Sequence, residues 1–262
     1  MRKNQWIAML LLVCFVCMSM LSLGAGCKKP EGPNTQQDGS EGDENQTEGG
    51  SGDTLNPFAA LTYVAFGDSI TYGADHRNDY QQMEKPYPKL VGQELGLNRV
   101  ENLGSSGASF TPNAPNVCMT ERILAYTGKA DIISVHLGFN DWARTLPLGT
   151  PGDDQIDTVY GCLDMIAKHL TTAYPDAFIF FITPFKTSVD RNDEYTLQDV
   201  SLAIQEVAAE YFIPVLDLYE LGQFELEMYT EVSDGVHPTQ AFFKEYTAPQ
   251  IAEFIREKYG KE

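Results

Sequence analysis

Between Ala177 and Thr183 the chain reads AFIFFIT, seven residues with no charge or amide side chain, closed by Pro184. A strand with one wet face alternates apolar and polar positions. A strand apolar throughout is covered on both faces, which is the signature of a parallel sheet between helices. The same character recurs in LTYVAF (61–66) and DIISVHL (131–137), and more weakly in RVENL (99–103) and PVLDLY (214–219). Parallel neighbours need crossover connections, and segments with helical spacing lie between these runs.

Those helical segments are predicted over Tyr87–Leu95, Met119–Tyr126, Asp157–Ala173, Leu197–Phe212 and Thr239–Tyr259, the last kinked at Pro249. The stripe Val159, Leu163, Ile166, Leu170 is the clearest amphipathic face. Five strands alternating with helices, joined by right-handed crossovers, predict an α/β fold: a three-layer α/β/α sandwich around a five-stranded parallel sheet, flavodoxin-like. No internal repeat interrupts the pattern.

The pattern occupies residues 57–262. Residues 1–26 carry Arg2 and Lys3, an apolar run from Trp6 to Leu23, then Gly24-Ala25-Gly26, which is the layout of an export signal peptide. The stretch LSLGAGC resembles a bacterial lipobox, in which the cysteine, here Cys27, is lipidated and begins the mature protein; Gly24 stands where that pattern prefers Leu. A plain cleaved signal and an uncleaved membrane anchor are the other readings of this run. Residues 27–56 are rich in Gly, Glu, Asp, Gln and Ser, with one aliphatic residue, Leu55, and are predicted to form a disordered acidic tether. The expected location is the extracytoplasmic side of the cell membrane, held by the lipid anchor alone, or secreted.

The formal net charge is −19, and removal of Arg2 and Lys3 with the signal makes the mature chain more acidic still. Such a chain is not built for nucleic acid or anionic lipid surfaces, which reward positive patches. Two cysteines, Cys118 and Cys162, remain in the domain, and export permits a disulfide between them. Neither has a His or Cys neighbour at metal-ligand spacing, so no zinc pattern is present in the domain.

In an open parallel sheet, ligands bind beyond the C-terminal ends of the strands, so the loops there matter most. After the first strand comes Gly67-Asp68-Ser69; after the second, NLGSSGAS (102–109); after the third, Gly138-Phe139-Asn140-Asp141; before the last helix, SDGVHP (233–238). Each is open to a structural reading. Ser69 suits a helix N-cap, Asn140-Asp141 a capping turn, and the glycines positive φ. Asp234 and His237, three apart around Gly235, can instead place a carboxylate on one imidazole nitrogen with the other facing a serine hydroxyl. Ser106, in GSSGA, resembles a nucleophile elbow but has Ala108 where the second Gly belongs. His136 ends the third strand and is read as a packed or pocket-lining residue; His76 and His169 have no such constellation.

GDSIT around Ser69, NLGSSGAS with Gly107, GFND with Asn140 and DGVHP with Asp234 and His237 together resemble the SGNH (GDSL) hydrolases, in the family's order and across nearly the whole domain. The resemblance implies a nucleophile at Ser69, a general base at His237 oriented by Asp234, and an oxyanion hole from the Ser69 and Gly107 N–H groups and the Asn140 amide, with no metal or cofactor. Asp68 and Asp141 are assigned to loop hydrogen bonding. The family comprises serine esterases, lipases, thioesterases and carbohydrate O-deacetylases. An exported protein on a polar tether meets polymers outside the cell, so an acetyl ester on a carbohydrate is the first expectation, with Tyr72, Phe139 and Trp142 as candidate sugar-stacking rings. The alternatives are a lysophospholipase or thioesterase, and a non-catalytic glycan-binding lipoprotein.

Overall fold

A computed structural model describes residues 56–187, 189, 194–221 and 234–260. The expected signal, tether and Cys27 lie outside the described residues. Seven strands and nine helices appear among those described. Strand β1 (Thr62–Gly67) leads into α1 (Ser69–Tyr72) and a small antiparallel hairpin, β2 (Ala74–Asp75) and β3 (Gln81–Gln82), around a short 3₁₀ turn. Then come α2 (Tyr87–Leu95), β4 (Arg99–Gly104), α3 (Met119–Leu124), β5 (Ile132–His136), α4 (Phe139–Ala143), α5 (Val159–Ala173) and β6 (Phe178–Ile182). The chain continues through α6 (Leu197–Glu210), β7 (Val215–Leu216), α7 (Leu218–Leu221), α8 (Gln240–Phe242) and α9 (Ala248–Lys258).

The main sheet has the order β4-β1-β5-β6-β7 with every pair parallel, the predicted doubly wound arrangement. Its central strands β1, β5 and β6 are buried along their whole length because successive residues feed two cores, while the edge strand β4 is only half-buried. Val64, Phe66, Ile133, Val135 and Phe181 pack against α3, α5 and α6. Tyr63, Ala65, Ile132, Phe180 and Ile182 pack beneath α2 and α9. Burying a large apolar side chain is worth about 1.5–3 kcal/mol, so such double-sided strands anchor the domain.

Two elements depart from the prediction. The last strand stops at Leu216 because Asp217 caps a helix: its Oδ1 accepts from the N–H groups of Tyr219 (3.1 Å) and Glu220 (3.2 Å) and from the Thr183 hydroxyl (2.9 Å). The long final helix is divided by a wide turn at Phe243–Thr247, where the Ala248 N–H reaches the Phe243 carbonyl five residues back. Pro249 follows directly in the first turn of α9, and the wide turn before it is where the helix accommodates a residue that cannot donate a backbone hydrogen bond.

Gly104 shows how closely the site-bearing elements pack. A Cβ there would lie 2.2 Å from the Tyr72 nitrogen and 2.7 Å from the Thr71 carbonyl carbon, both backbone atoms of α1. Gly104→Ala therefore forces α1 off β4. We expect a loss of about 1–3 kcal/mol, seen as a drop of several degrees in Tm; an unchanged Tm would show that α1 can yield freely.

Candidate active site

The four polar loops singled out above converge at the C-terminal edge of the sheet. Gly67 ends β1, and a side chain there would meet the Thr71 hydroxyl at 1.9 Å. The chain turns at Asp68, whose Oδ1 accepts from the Ile70 N–H at 2.9 Å and so caps α1. Ser69 is thus the first helical residue rather than the cap, at a position where helix geometry leaves backbone N–H groups without intrahelical acceptors.

The Ser69 Oγ lies 2.8 Å from His237 Nε2, and His237 Nδ1 lies 2.6 Å from Asp234 Oδ2. The other oxygen of Asp234 accepts from the N–H groups of Val236 (2.9 Å) and His237 (2.8 Å), a turn made possible by Gly235 at φ 74°. Burial pushes the Asp234 carboxyl up, but the bonds from His237 and Val236 outweigh it and hold the group below the ordinary carboxylate range. A carboxylate so held keeps the imidazole in one tautomer and orientation. Thr187 braces the same turn, donating to the Gly235 carbonyl at 2.8 Å.

Gly107 and Asn140 stand together. Gly107 adopts φ 77°, and a Cβ there would lie 2.7 Å from Asn116 Oδ1. The Asn140 amide donates one N–H to the Ala108 carbonyl at 2.9 Å, leaving the second of its two. Arg144 Nη1 donates to the Gly107 carbonyl at 2.9 Å. Beneath this loop Asp141 accepts from the Phe110 N–H (2.9 Å), the Thr111 N–H (3.1 Å) and the Thr111 hydroxyl (3.0 Å). Burial pushes Asp141 up to about 6 against these bonds, and burial pushes Asp68 up to about 7. Both carboxyls act in loop hydrogen bonding, as the sequence suggested.

Other expectations resolve differently. Ser106 is exposed on the loop after β4, and the described partner of the His237 ring is Ser69. Cys118 and Cys162 are both buried free thiols. Trp142 is only 4% exposed and packs edge-on against Phe139 at 5.6 Å, a core position rather than a sugar platform. Tyr72 is half-buried, while Phe139 borders a cleft beside Ser69. That cleft holds about 320 Å³, open solvent included, and is lined by Ile70, Leu137, Phe139, Phe185, Val236 and His136 among others. Among the described residues no group of three His, Cys, Asp or Glu side chains is arranged to hold a metal.

Tyr80 was not anticipated. It and Asp79 adopt left-handed backbone angles, φ 57° and 49°, at the tip of the β2–β3 hairpin. Its ring stands 5.3 Å from the His237 ring and its hydroxyl 3.5 Å from Asp234 Oδ2. No local pattern in the surrounding sequence distinguishes this tyrosine.

A serine, a histidine and an aspartate in one hydrogen-bonded line, at the switch edge of a parallel sheet, define a serine-hydrolase arrangement on a three-layer α/β/α fold. The GDSL-like lipase/acylhydrolase family matches residues 65–243, and the chain belongs to that family of ester-bond hydrolases. A solved protein of Lactobacillus plantarum is 27% identical, with a TM-score of 0.67 over 76% of this chain and 99% of its own. The lipase/acylhydrolase from Enterococcus faecalis (21% identity, TM-score 0.55, covering 75% and 96%) shares the fold. So does a carbohydrate acetylesterase family member from Sinorhizobium meliloti (17%, 0.55, covering 75% and 98%). No curated protein matches the sequence significantly.

His136 supplies a pH test of the region. It is 3% exposed, and burial pushes its pKa down to about 3, so it is neutral in the fold. Because the unfolded chain protonates this histidine below its ordinary value of 6.5, stability is lost as pH falls from 6.5 toward 3. Asp68 and Asp141, with raised values, act oppositely, since stability falls as pH rises between their unfolded and folded values. Denaturant unfolding of His136→Gln should therefore lose about 2 kcal/mol less than the parent between pH 7.5 and 5. Equal losses would show that His136 is not held neutral.

Proposed function

We propose that the protein is an exported, lipid-anchored serine esterase that removes small acyl groups, acetyl foremost, from carbohydrates. The observation that carries the catalytic part is the 2.8 Å and 2.6 Å pair of contacts from His237 to Ser69 and Asp234. In this reading Ser69 Oγ attacks the ester carbonyl as His237 Nε2 takes its proton, and Asp234 stabilises the imidazolium. The developing oxyanion is received by the N–H groups of Ser69 and Gly107 and the second N–H of Asn140, donors that carry no charge of their own. His237 returns the proton to the departing alcohol, and water, activated by the same imidazole, releases the acid from the acyl-serine.

The carbohydrate part is supported by the name of the Sinorhizobium relative and by the polar residues that surround Gly107. One observation favours a second reading: one wall of the cleft beside Ser69 is apolar, built from Ile70, Leu137, Phe139, Phe185 and Val236, which suits a longer acyl chain and hence a lipid ester or thioester. The anchor rests on Cys27 and its flanking small residues. In that arrangement the tether joins the domain at Asn56, which bonds to Leu95 at the end of α2, and β1 then runs from there toward the site.

On p-nitrophenyl acetate, Ser69→Ala and His237→Ala should each lower kcat by about a thousandfold or more. Equal hydrolysis by parent and variants would leave a non-catalytic binding protein as the reading. A rate that falls steeply from acetate to octanoate supports the acetylesterase, and the reverse order supports the lipid reading. For the anchor, Cys27→Ser should move the protein from the membrane fraction to the soluble one; unchanged fractionation would indicate another attachment.

A further inference from the structure

Among the described residues, Arg144 stands apart from the arginines paired with carboxylates. The chain has 37 acidic and 18 basic residues, so a guanidinium readily finds a carboxylate. Arg77 meets Asp75 at 3.2 Å, Arg99 meets Glu101 at 2.6 Å, and Arg256 meets Glu94 at 3.2 Å. Arg144 has no described carboxylate within 4.0 Å, and neither has Arg122; Arg144 acts at longer range on the buried Asp68 carboxyl, whose pKa it lowers, and its one described hydrogen bond goes to the Gly107 carbonyl. Its Nη2 lies 3.3 Å from where a Gly107 Cβ would stand, so the guanidinium is laid along the α-carbon of the very glycine assigned to the oxyanion hole. Asn116 Oδ1 is 2.7 Å from the same point, and Asn113 Nδ2, also on the loop before α3, is buried without a described partner.

Resting on the esterase reading above, we propose that Arg144 is a specificity residue forming an anion subsite, and that the alcohol part of the natural ester carries a carboxylate, as an acetylated uronate sugar does. A guanidinium has five N–H donors in a planar fork matched to a carboxylate, and among the described residues only Nη1 has a hydrogen-bond acceptor. Arg144 is exposed, so a ligand can reach the free edge. The amide side chain of Asn116 adds a neutral hydrogen-bonding group of the kind that sugar hydroxyls need.

The charge belongs on the alcohol rather than the acyl side. The cleft beside Ser69 is walled by Ile70, Leu137, Phe139 and Val236, where a carboxylate would be stripped of water. The cation on that cleft, Lys186, already faces Glu220 at 3.9 Å and sits 5.0 Å over the Tyr219 ring. An anionic substrate also approaches against a strongly negative chain, so local recognition depends on this one guanidinium.

The test compares kcat/KM of the full chain and of Arg144→Gln and Arg144→Lys on two charge pairs. One pair is mono-O-acetyl methyl glucuronoside against mono-O-acetyl methyl glucoside, followed by acetate release. The other is 4-acetoxybenzoate against its methyl ester, followed by phenol release. We expect the parent to favour the anionic member of each pair, with the preference shrinking as NaCl rises from 0.05 to 0.5 M. Arg144→Gln lowers both members, since Gly107 loses its brace, but the anionic member falls at least tenfold further; Arg144→Lys retains part of the preference. A parent without charge preference in either pair overturns the proposal. So does an Arg144→Gln loss equal for both members, which would leave Arg144 a brace only. If neither sugar is hydrolysed while the aryl esters are, the carbohydrate reading fails and the aryl pair still decides the charge question. Activity surviving in Ser69→Ala would instead remove the catalytic reading beneath both.

Discussion

Everything at the site depends on the register of β1 between its two parallel neighbours. Gly67 is paired with Gly104 on one side and with His136 on the other, so three strands end level and their following loops leave from one edge. Parallel pairing makes this possible, because every strand delivers its C-terminal loop to the same face. Two of the three terminal positions are glycines whose side chains would strike neighbouring backbone, the Thr71–Tyr72 segment at Gly104 and the His136 carbonyl at Gly67. Close approach at those positions is what lets α1 start immediately after β1 and lie across β4, holding Ser69 at the edge instead of over the helical layer.

The edge is held by groups that a stability-optimised protein would avoid. Asp68 and Asp141 are buried carboxyls whose pKa values burial raises, to about 7 and about 6, and each repels the other's charge. Their compensation is specific: Asp68 caps the helix that bears Ser69, and Asp141 takes three donors from the loop that bears Gly107. Left-handed angles at Asp79 and Tyr80 add local strain, and strain of this kind persists only where the surroundings enforce it. Polar bracing at this edge marks where geometry is kept at the expense of stability, although strain is not confined to it, since Phe212 in the turn before β7 also has a left-handed angle.

The layered fold was legible because its signal is periodic and redundant. Residues 178–182 could be only a doubly covered strand, and their alternate side chains do enter the two cores. What failed were the places where one side chain overrides a pattern. Asp217 ends β7 by capping a helix, which no count of apolar residues anticipates. Trp142 looked available as a platform because its neighbours in sequence are polar, yet α4 turns it into the core. Ser69, His237, Asp234, Gly107 and Asn140 were nameable from sequence because each sits in a short motif. Tyr80, Thr187 and Arg144 were not, since they reach the same place from a hairpin tip, a strand-end loop and a helix end with no local signature.

The surroundings of Ser69 are unequal in a way that bears on what kind of ester fits. On one side, Asp68 and Ile70 flank it and lead into a cleft of Leu137, Phe139, Phe185 and Val236, with His136 kept neutral by burial. On the other, the Gly107 loop carries amides and a guanidinium whose described hydrogen bond is to a backbone carbonyl. An ester carbon at Ser69 has two substituents to distribute, and desolvation decides between them: an apolar acyl group loses nothing in the cleft, whereas a hydroxylated or charged alcohol would lose its hydration there without replacement donors. On the esterase reading the two environments therefore favour one orientation of the ester, with the acyl group in the cleft and the hydroxylated alcohol toward Asn116 and Arg144.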